Sequence, residues 1–350
     1  MAAGDRAGRV GCRRRCGGRA HNSPDLKSIT RHATHTIGGV LKQRIVQWQY
    51  GFAIAAVIAN VAIAITGSIV RVTGSGLGCT EWPNCLPGSM VPVEHPELAM
   101  FHQWIEFGNR MLSGVVGIIG GFCFLAAWLS RPHRRRVLWL SAAMLGGVFV
   151  QAVLGGITVR TGLLWWTVAV HMVVSPVLAW FAVMLVRSLR ESDAPARPQT
   201  HPWVPRLLVA QTVVLVGLLI AGTMVTGAGP HAGDKDVARL GLPVSTLAHV
   251  HAAFMYTFLA LLLAVGYLLW RGPSARDIWQ RYFLLLAVVL AQGTLGFVQY
   301  FTGVPSILVV LHVFGAMLVT VATAALWAWS RARPATVEAT EHEHFVGASL

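Results

Sequence analysis

Glu106, Asn109 and Arg110 in "WIEFGNR", and His171, His251 and His312 further along, are polar side chains set into long apolar runs. An apolar surrounding sharpens the chemistry of each. Imidazole binds transition metals and moves protons. A carboxylate in lipid is costly, and its presence marks function by default. Glu106 and Arg110 are four residues apart, so on a helix they pair along one face. Asn109 falls on the Glu106 face, three residues on.

The elements that must carry these residues are membrane helices. Of 350 residues, 55% are hydrophobic and 12% charged; a soluble domain would carry about twice that share of charge. Apolar runs cover about 48–70, 102–129, 137–159, 164–186, 205–226, 245–269, 282–300 and 306–329. Each is long enough to cross a bilayer as a helix, and such runs suit helices rather than barrel strands. The expected fold class is an all-α integral membrane protein of eight transmembrane helices. The net charge of +14 does not imply nucleic acid, because its placement alternates. Lys and Arg crowd the N-terminal segment, RPHRRR at 131–136, the connections at 187–206 and 271–281, and SRAR after the last span. The other loops carry only Arg71, Arg160, Lys235 and Arg239. The positive-inside rule then puts both termini in the cytoplasm of a plasma-membrane protein. Residues 1–46, with no apolar signal core, read as a basic, disordered cytoplasmic tail, in which Cys12 and Cys16 carry no role. The "EHEHF" near the C-terminus reads as a solvated end, and Cys123 as packing.

"QAVLGGITVRTGLLWWTVAVH" from Gln151 lies without a gap over "QGTLGFVQYFTGVPSILVVLH" from Gln292, which pairs His171 with His312. The ends of spans one and five also correspond, "TGSIVRVTGSG" with "AGTMVTGAG". Two pseudo-symmetric four-helix bundles follow, over 47–187 and 205–330, with a polar linker at 188–204 and a tail at 331–350. Nearly the same offset sets His251 over Asn109. Counted from the outer end of its span, each of Asn109, His171, His251 and His312 lies roughly 10 Å deep at 1.5 Å per residue. Histidines on facing helices at one depth can clamp a haem iron from both sides. Gly67, Gly155, Gly156, Gly222, Gly293 and Gly296 leave room for a flat macrocycle or for close helix packing. His249 points away from His251, and His102 reads as an interfacial residue near the Glu106 face.

"GSIVRVTGSGLGCTEWPNC", "WIEFGNR", "QAVLGGITVRTGL" and the helical histidines together resemble the haem A synthase family, over about 45–330. The resemblance implies an oxidoreductase that converts the C8 methyl of haem O to a formyl group by successive hydroxylations, giving haem A for cytochrome oxidase. It implies that His251 and His312 ligate a resident haem b, that His171 and Asn109 lie at the substrate haem, and that Glu106 is the essential catalytic glutamate. For the pair itself two readings stand: Glu106 relays protons or stabilises an electron-deficient methyl intermediate with Arg110 near a haem propionate, or the two only stabilise their helix. Where this chain has Asn109 the family commonly has histidine, and an amide is a poor iron ligand. Either the substrate haem is five-coordinate on His171, or another group or water completes it, or activity has been lost in this branch; Glu106 and Arg110 favour the first two. Cys79 and Cys85 are close enough for a disulfide in an oxidising loop, and the resemblance makes the pair either redox-active or a brace. A haem O synthase and a second copy of the chain are partner candidates beside the bilayer itself, and the sequence names no electron donor. The rival readings are a di-haem b-type electron-transfer protein, a transporter, and a haem-binding assembly factor.

Overall fold

The computed structural model describes residues 39–334. Of the expected tails, 1–38 and 335–350 lie outside the described residues, and with them Cys12, Cys16 and "EHEHF". One expectation is corrected at this boundary: residues 39–47 are helical rather than irregular. The run Val40-Leu41-Lys42-Gln43-Arg44 holds no helix breaker, so local hydrogen bonding wins over its polarity.

Among the described residues, eight helices are long and apolar enough to cross a membrane. They are α1 (Gln49–Val72), α2 (Met100–Leu129), α3 (Arg135–Arg160), α4 (Trp165–Leu189), α5 (Val204–Ala228), α6 (Val244–Arg271), α7 (Arg276–Phe301) and α8 (Ser306–Trp329). The hydropathy reading placed every span within a few residues. It was least generous for α7, whose first turn, RDIWQR, is charged. Large apolar side chains on the outer faces, such as Trp139 at 74% and Phe301 at 78% exposure, suit lipid as solvent.

The α3–α4 and α7–α8 turns are built alike. Gly162 and Leu163 have φ 62° and 57°, and Gly303 and Val304 have φ 77° and 60°. Leu163 N–H donates to Thr158 O and Val304 N–H to Gln299 O, both at 2.9 Å, closing each helix with a left-handed cap. The Thr-Gly pair shared by the two sequence segments is therefore the stop signal of an odd-numbered helix in each half.

The first four helices form a closed ring, with α1 against α2 and α4, and α3 against both α2 and α4. In the second four, α5 packs on α6 and α7 on α8, but α6–α7 and α5–α8 contacts are sparse. That leaves a slot between two helix pairs. The ring and the slotted bundle meet along α1, α4 and α8. Each has its apolar core toward one end. Ala53, Cys123, Met144 and Leu185 belong to one core, and Leu208, Phe258, Leu262, Leu285 and Leu326 to the other. Arginines gather at that end, hereafter the basic end. Glu191 pairs with Arg187 at 2.8 Å and Arg136 at 3.3 Å, and Trp329 lies between Arg187 and Arg281. The linker is ordered there: β1 (Arg197–Pro198) pairs antiparallel with β2 (Arg331–Ala332). The opposite, disulfide end carries Glu106, Asn109, Arg110 and the three helical histidines.

Candidate functional site

In the second half, His251 on α6 and His312 on α8 face one another, ring centroids 6.1 Å apart and planes at 55°. Two metal–imidazole bonds of about 2 Å, plus the distance from each ring nitrogen to its centroid, sum to roughly 6 Å. The separation therefore suits one iron between the rings. Each ring rests on a glycine of the preceding helix. A Cβ at Gly222 would stand 3.1 Å from His251 Cε1, and one at Gly296 would stand 3.2 Å from His312 Cε1. His251 Nδ1–H donates to Leu218 O at 3.0 Å, which fixes the tautomer and leaves Nε2 with its lone pair free for a metal. Gln292 Nε2 donates to His312 O at 2.8 Å. His312 Nδ1 is buried without a partner.

The first half repeats the scaffold. A Cβ at Gly155 of α3 would stand 3.4 Å from His171 Cε1 on α4, and Gln151 Nε2 donates to His171 O at 3.1 Å. Pro176, one turn past His171 in α4, has no N–H for the Met172 carbonyl; the matching position of α8 is Met317. Asn109 on α2 sits beside Gly67 of α1, its Nδ2 4.0 Å from where a Cβ would be. Thr66 Oγ1 donates to Asn109 Oδ1 at 2.7 Å. The amide oxygen thus uses one of its two lone pairs on Thr66.

Glu106 and Arg110 pair at 2.5 Å on α2, with Glu106 only 5% exposed. Glu106 Oε2 also accepts from Cys79 N–H at 2.7 Å. Arg110 donates through Nη1 to Glu81 O and Asn84 O, both at 2.9 Å, and through Nη2 to Cys79 O at 3.2 Å. Cys79 and Cys85 form a disulfide, so the Glu–Arg pair grips a closed covalent loop. All four terminal N–H groups of Arg110 are engaged on protein oxygens, three of them backbone carbonyls. Removing one member of a buried pair like this costs about 3–5 kcal/mol. The same loop lays Trp82 over Gly156, and Arg160 Nη2 donates to Trp82 O at 2.9 Å. Gln103, fully buried, braces the next segment through Val93 N–H and Leu98 O. The loop thereby roofs the outer ends of α2 and α3.

Among the remaining polar candidates, His102 Nδ1 bonds Ser75 Oγ at 2.8 Å, and Ser75 Oγ bonds Thr73 Oγ1. His249 is exposed and bonds Ser245 O of its own helix, on the side away from the His251 ring. Cys123 is buried in the apolar core. Arg71 was counted among the loop charges. It lies instead within α1, 9% exposed, with Nε donating to His231 O at 2.7 Å. The signal that could have found it is its place four residues after Gly67, on the face that meets Asn109.

The donor set fits a haem better than a bare ion. Among the described residues no three His, Cys, Asp or Glu cluster to hold a metal. Two opposed imidazoles on glycine shelves, in a slot between helix pairs, would suit a macrocycle that brings its own four nitrogens. Comparison with known proteins agrees. The chain is similar to a haem A synthase of Azorhizobium caulinodans, 28% identical over 79% of this chain and 90% of the relative. It is similar to haem A synthases of Brucella anthropi and Brucella ovis at 25% identity, over 80% of this chain and 90% of each relative. The model of the cytochrome oxidase assembly protein family matches residues 50–324, the entire ring and slot apart from the last turn of α8, and the chain belongs to that family.

Proposed function

We propose that the protein is a haem A synthase, with haem O as substrate and the C8 methyl group as the site of oxidation. Two hydroxylations of that carbon, each a two-electron oxidation at the expense of an external oxidant such as dioxygen, and loss of one water give the formyl group of haem A. The proposal treats 47–187 and 205–330 as two copies of one design. The second holds a resident haem b on His251 and His312. The first receives haem O against His171. The basic end faces the cytoplasm. The observation that carries the reading is the opposed imidazole pair in the slot, matched in the first half by the same glycine shelf bearing one imidazole instead of two.

Haem b, when bound, supplies one-electron redox chemistry. The chain's own groups do the rest. Asn109, its oxygen accepting from Thr66, is an amide and a poor iron ligand, so the first half offers its guest a single imidazole. Glu106 holds or moves a proton at its carboxylate oxygens, kept in place by Arg110 and the Cys79 N–H. Trp82 and the disulfide loop exclude water from above. A positioned carboxylate of this kind contributes about 10²–10⁴-fold to proton-transfer steps.

The test is co-expression with a haem O supply, followed by extraction and chromatography of the haems. Haem A or a hydroxylated haem O beside haem B supports the reading. Haem B with neither sinks it, in favour of an electron-transfer protein or a haem-binding assembly factor.

A further inference from the structure

Arg71 is a buried cation with no carboxylate partner among the described residues. Its guanidinium has five N–H groups. One donates to His231 O, and Nη1 approaches Met172 Sδ at 3.4 Å; a thioether is a weak acceptor. A buried charge this poorly answered by protein atoms indicates an anion supplied from elsewhere. Its position says which. Arg71 follows Gly67 by four residues, so it stands on the same face of α1, about 6 Å nearer the disulfide end. Gly67 flanks Asn109, and Met172 is the neighbour of His171 in α4. Arg71 therefore lies on the disulfide side of the Asn109–His171 level, where the proposed function sets the chamber for its guest.

We propose that Arg71 receives a propionate carboxylate of the tetrapyrrole bound in the first half. This rests on the haem O reading of that chamber and names the contact that orients the guest. A planar guanidinium meets a carboxylate with two parallel hydrogen bonds, which would also fix the ring's rotation. Arg110, next to Asn109 and deeper, has its four terminal N–H groups occupied by Glu106 and the loop carbonyls, and Arg160 is turned to the Trp82 carbonyl. The second half lacks an equivalent: four residues after Gly222 stands Thr226, whose hydroxyl donates back to Gly222 O at 2.8 Å. The anchor belongs to the guest's half alone, yet the other half holds it steady. His231 O accepts from Arg71, the His231 ring bonds Val304 O at 2.9 Å, and Gly76 N–H donates to Gly233 O at 3.0 Å.

The experiment titrates purified full-length protein in nanodiscs with iron protoporphyrin IX and with its dimethyl ester, which lacks the carboxylates. The readout is Soret absorption that depends on His171, established with H171A. The resident bis-histidine spectrum serves as the fold control. R71Q is expected to weaken binding of the free acid by about tenfold or more and to leave the diester unchanged, with R71K recovering part of the loss. Equal binding of the free acid by wild type and R71Q overturns the assignment, as does an equal loss for both ligands with the resident spectrum intact. If wild type shows no His171-dependent uptake of either compound, the haem O reading of the chamber falls with it.

Discussion

The two four-helix regions share a ligand shelf and differ in everything around it. In both, a ring stacks on a glycine one helix back, and a glutamine anchors the carbonyl of the outer histidine: Gln151 for His171, Gln292 for His312. The second region then separates into two helix pairs and sets a second imidazole opposite the first. The first stays a closed ring, replaces that imidazole with Asn109, and adds a disulfide loop, a buried Glu–Arg pair and a lone arginine. On the proposed function the differences sort by residence time: a permanent guest would take two strong bonds, and a transient one a single bond, an orienting contact and a roof.

The contrast can be broken most severely at the iron ligands. H251A or H312A is expected to abolish the bis-histidine Soret and reduced α bands and, with them, haem A production. H171A should leave those bands intact and stop production. Identical spectra for the three variants would erase the distinction between regions. Next in size, E106Q should retain wild-type haem b content and lower haem A output about 10²-fold or more, as measured by chromatography of extracted haems. Undiminished output would reduce Glu106 to a clamp for its loop. N109H is expected to make the regions more alike: a second bis-histidine spectrum should appear on adding haem, and output should fall. An unchanged first-site spectrum would mean that the Asn109 position does not face the iron. Smallest, a methyl group at the shelves should loosen haem by the cost of overpacking, about 1–3 kcal/mol. G222A and G296A, with only 3.1 and 3.2 Å to the ring, should suffer more than G155A with 3.4 Å, read from haem loss during thermal ramps.

Much of this architecture is legible from residue order because lipid imposes simple rules. Span length and histidine depth follow from hydropathy and helical rise, whereas choosing His251 over His249 and pairing His171 with His312 also took the internal repeat; that the repeated Thr-Gly pairs end α3 and α7 is seen only in the backbone angles. The glycines were visible, but packing and shelf roles look the same in one dimension; only the ring contacts separate Gly155 and Gly296 from Gly293, which meets Met255 instead. Arg110 was seen with Glu106 but without its other partners, since those are backbone carbonyls 26 to 31 residues earlier, and a carbonyl has no signature in a sequence. Arg71 was assigned to a loop because it stands at the edge of a hydropathy window. The pairing of β1 with β2 joins segments that polarity alone marks as linker and tail.

That short pairing has a mechanical corollary. It ties the crossing between the two bundles to the strand leaving the last helix, at the end where the arginines crowd and both apolar cores are densest. The two bundles are thus tied at both ends, here by the strand pairing and at the disulfide end by the Arg71–His231 and Gly76–Gly233 hydrogen bonds.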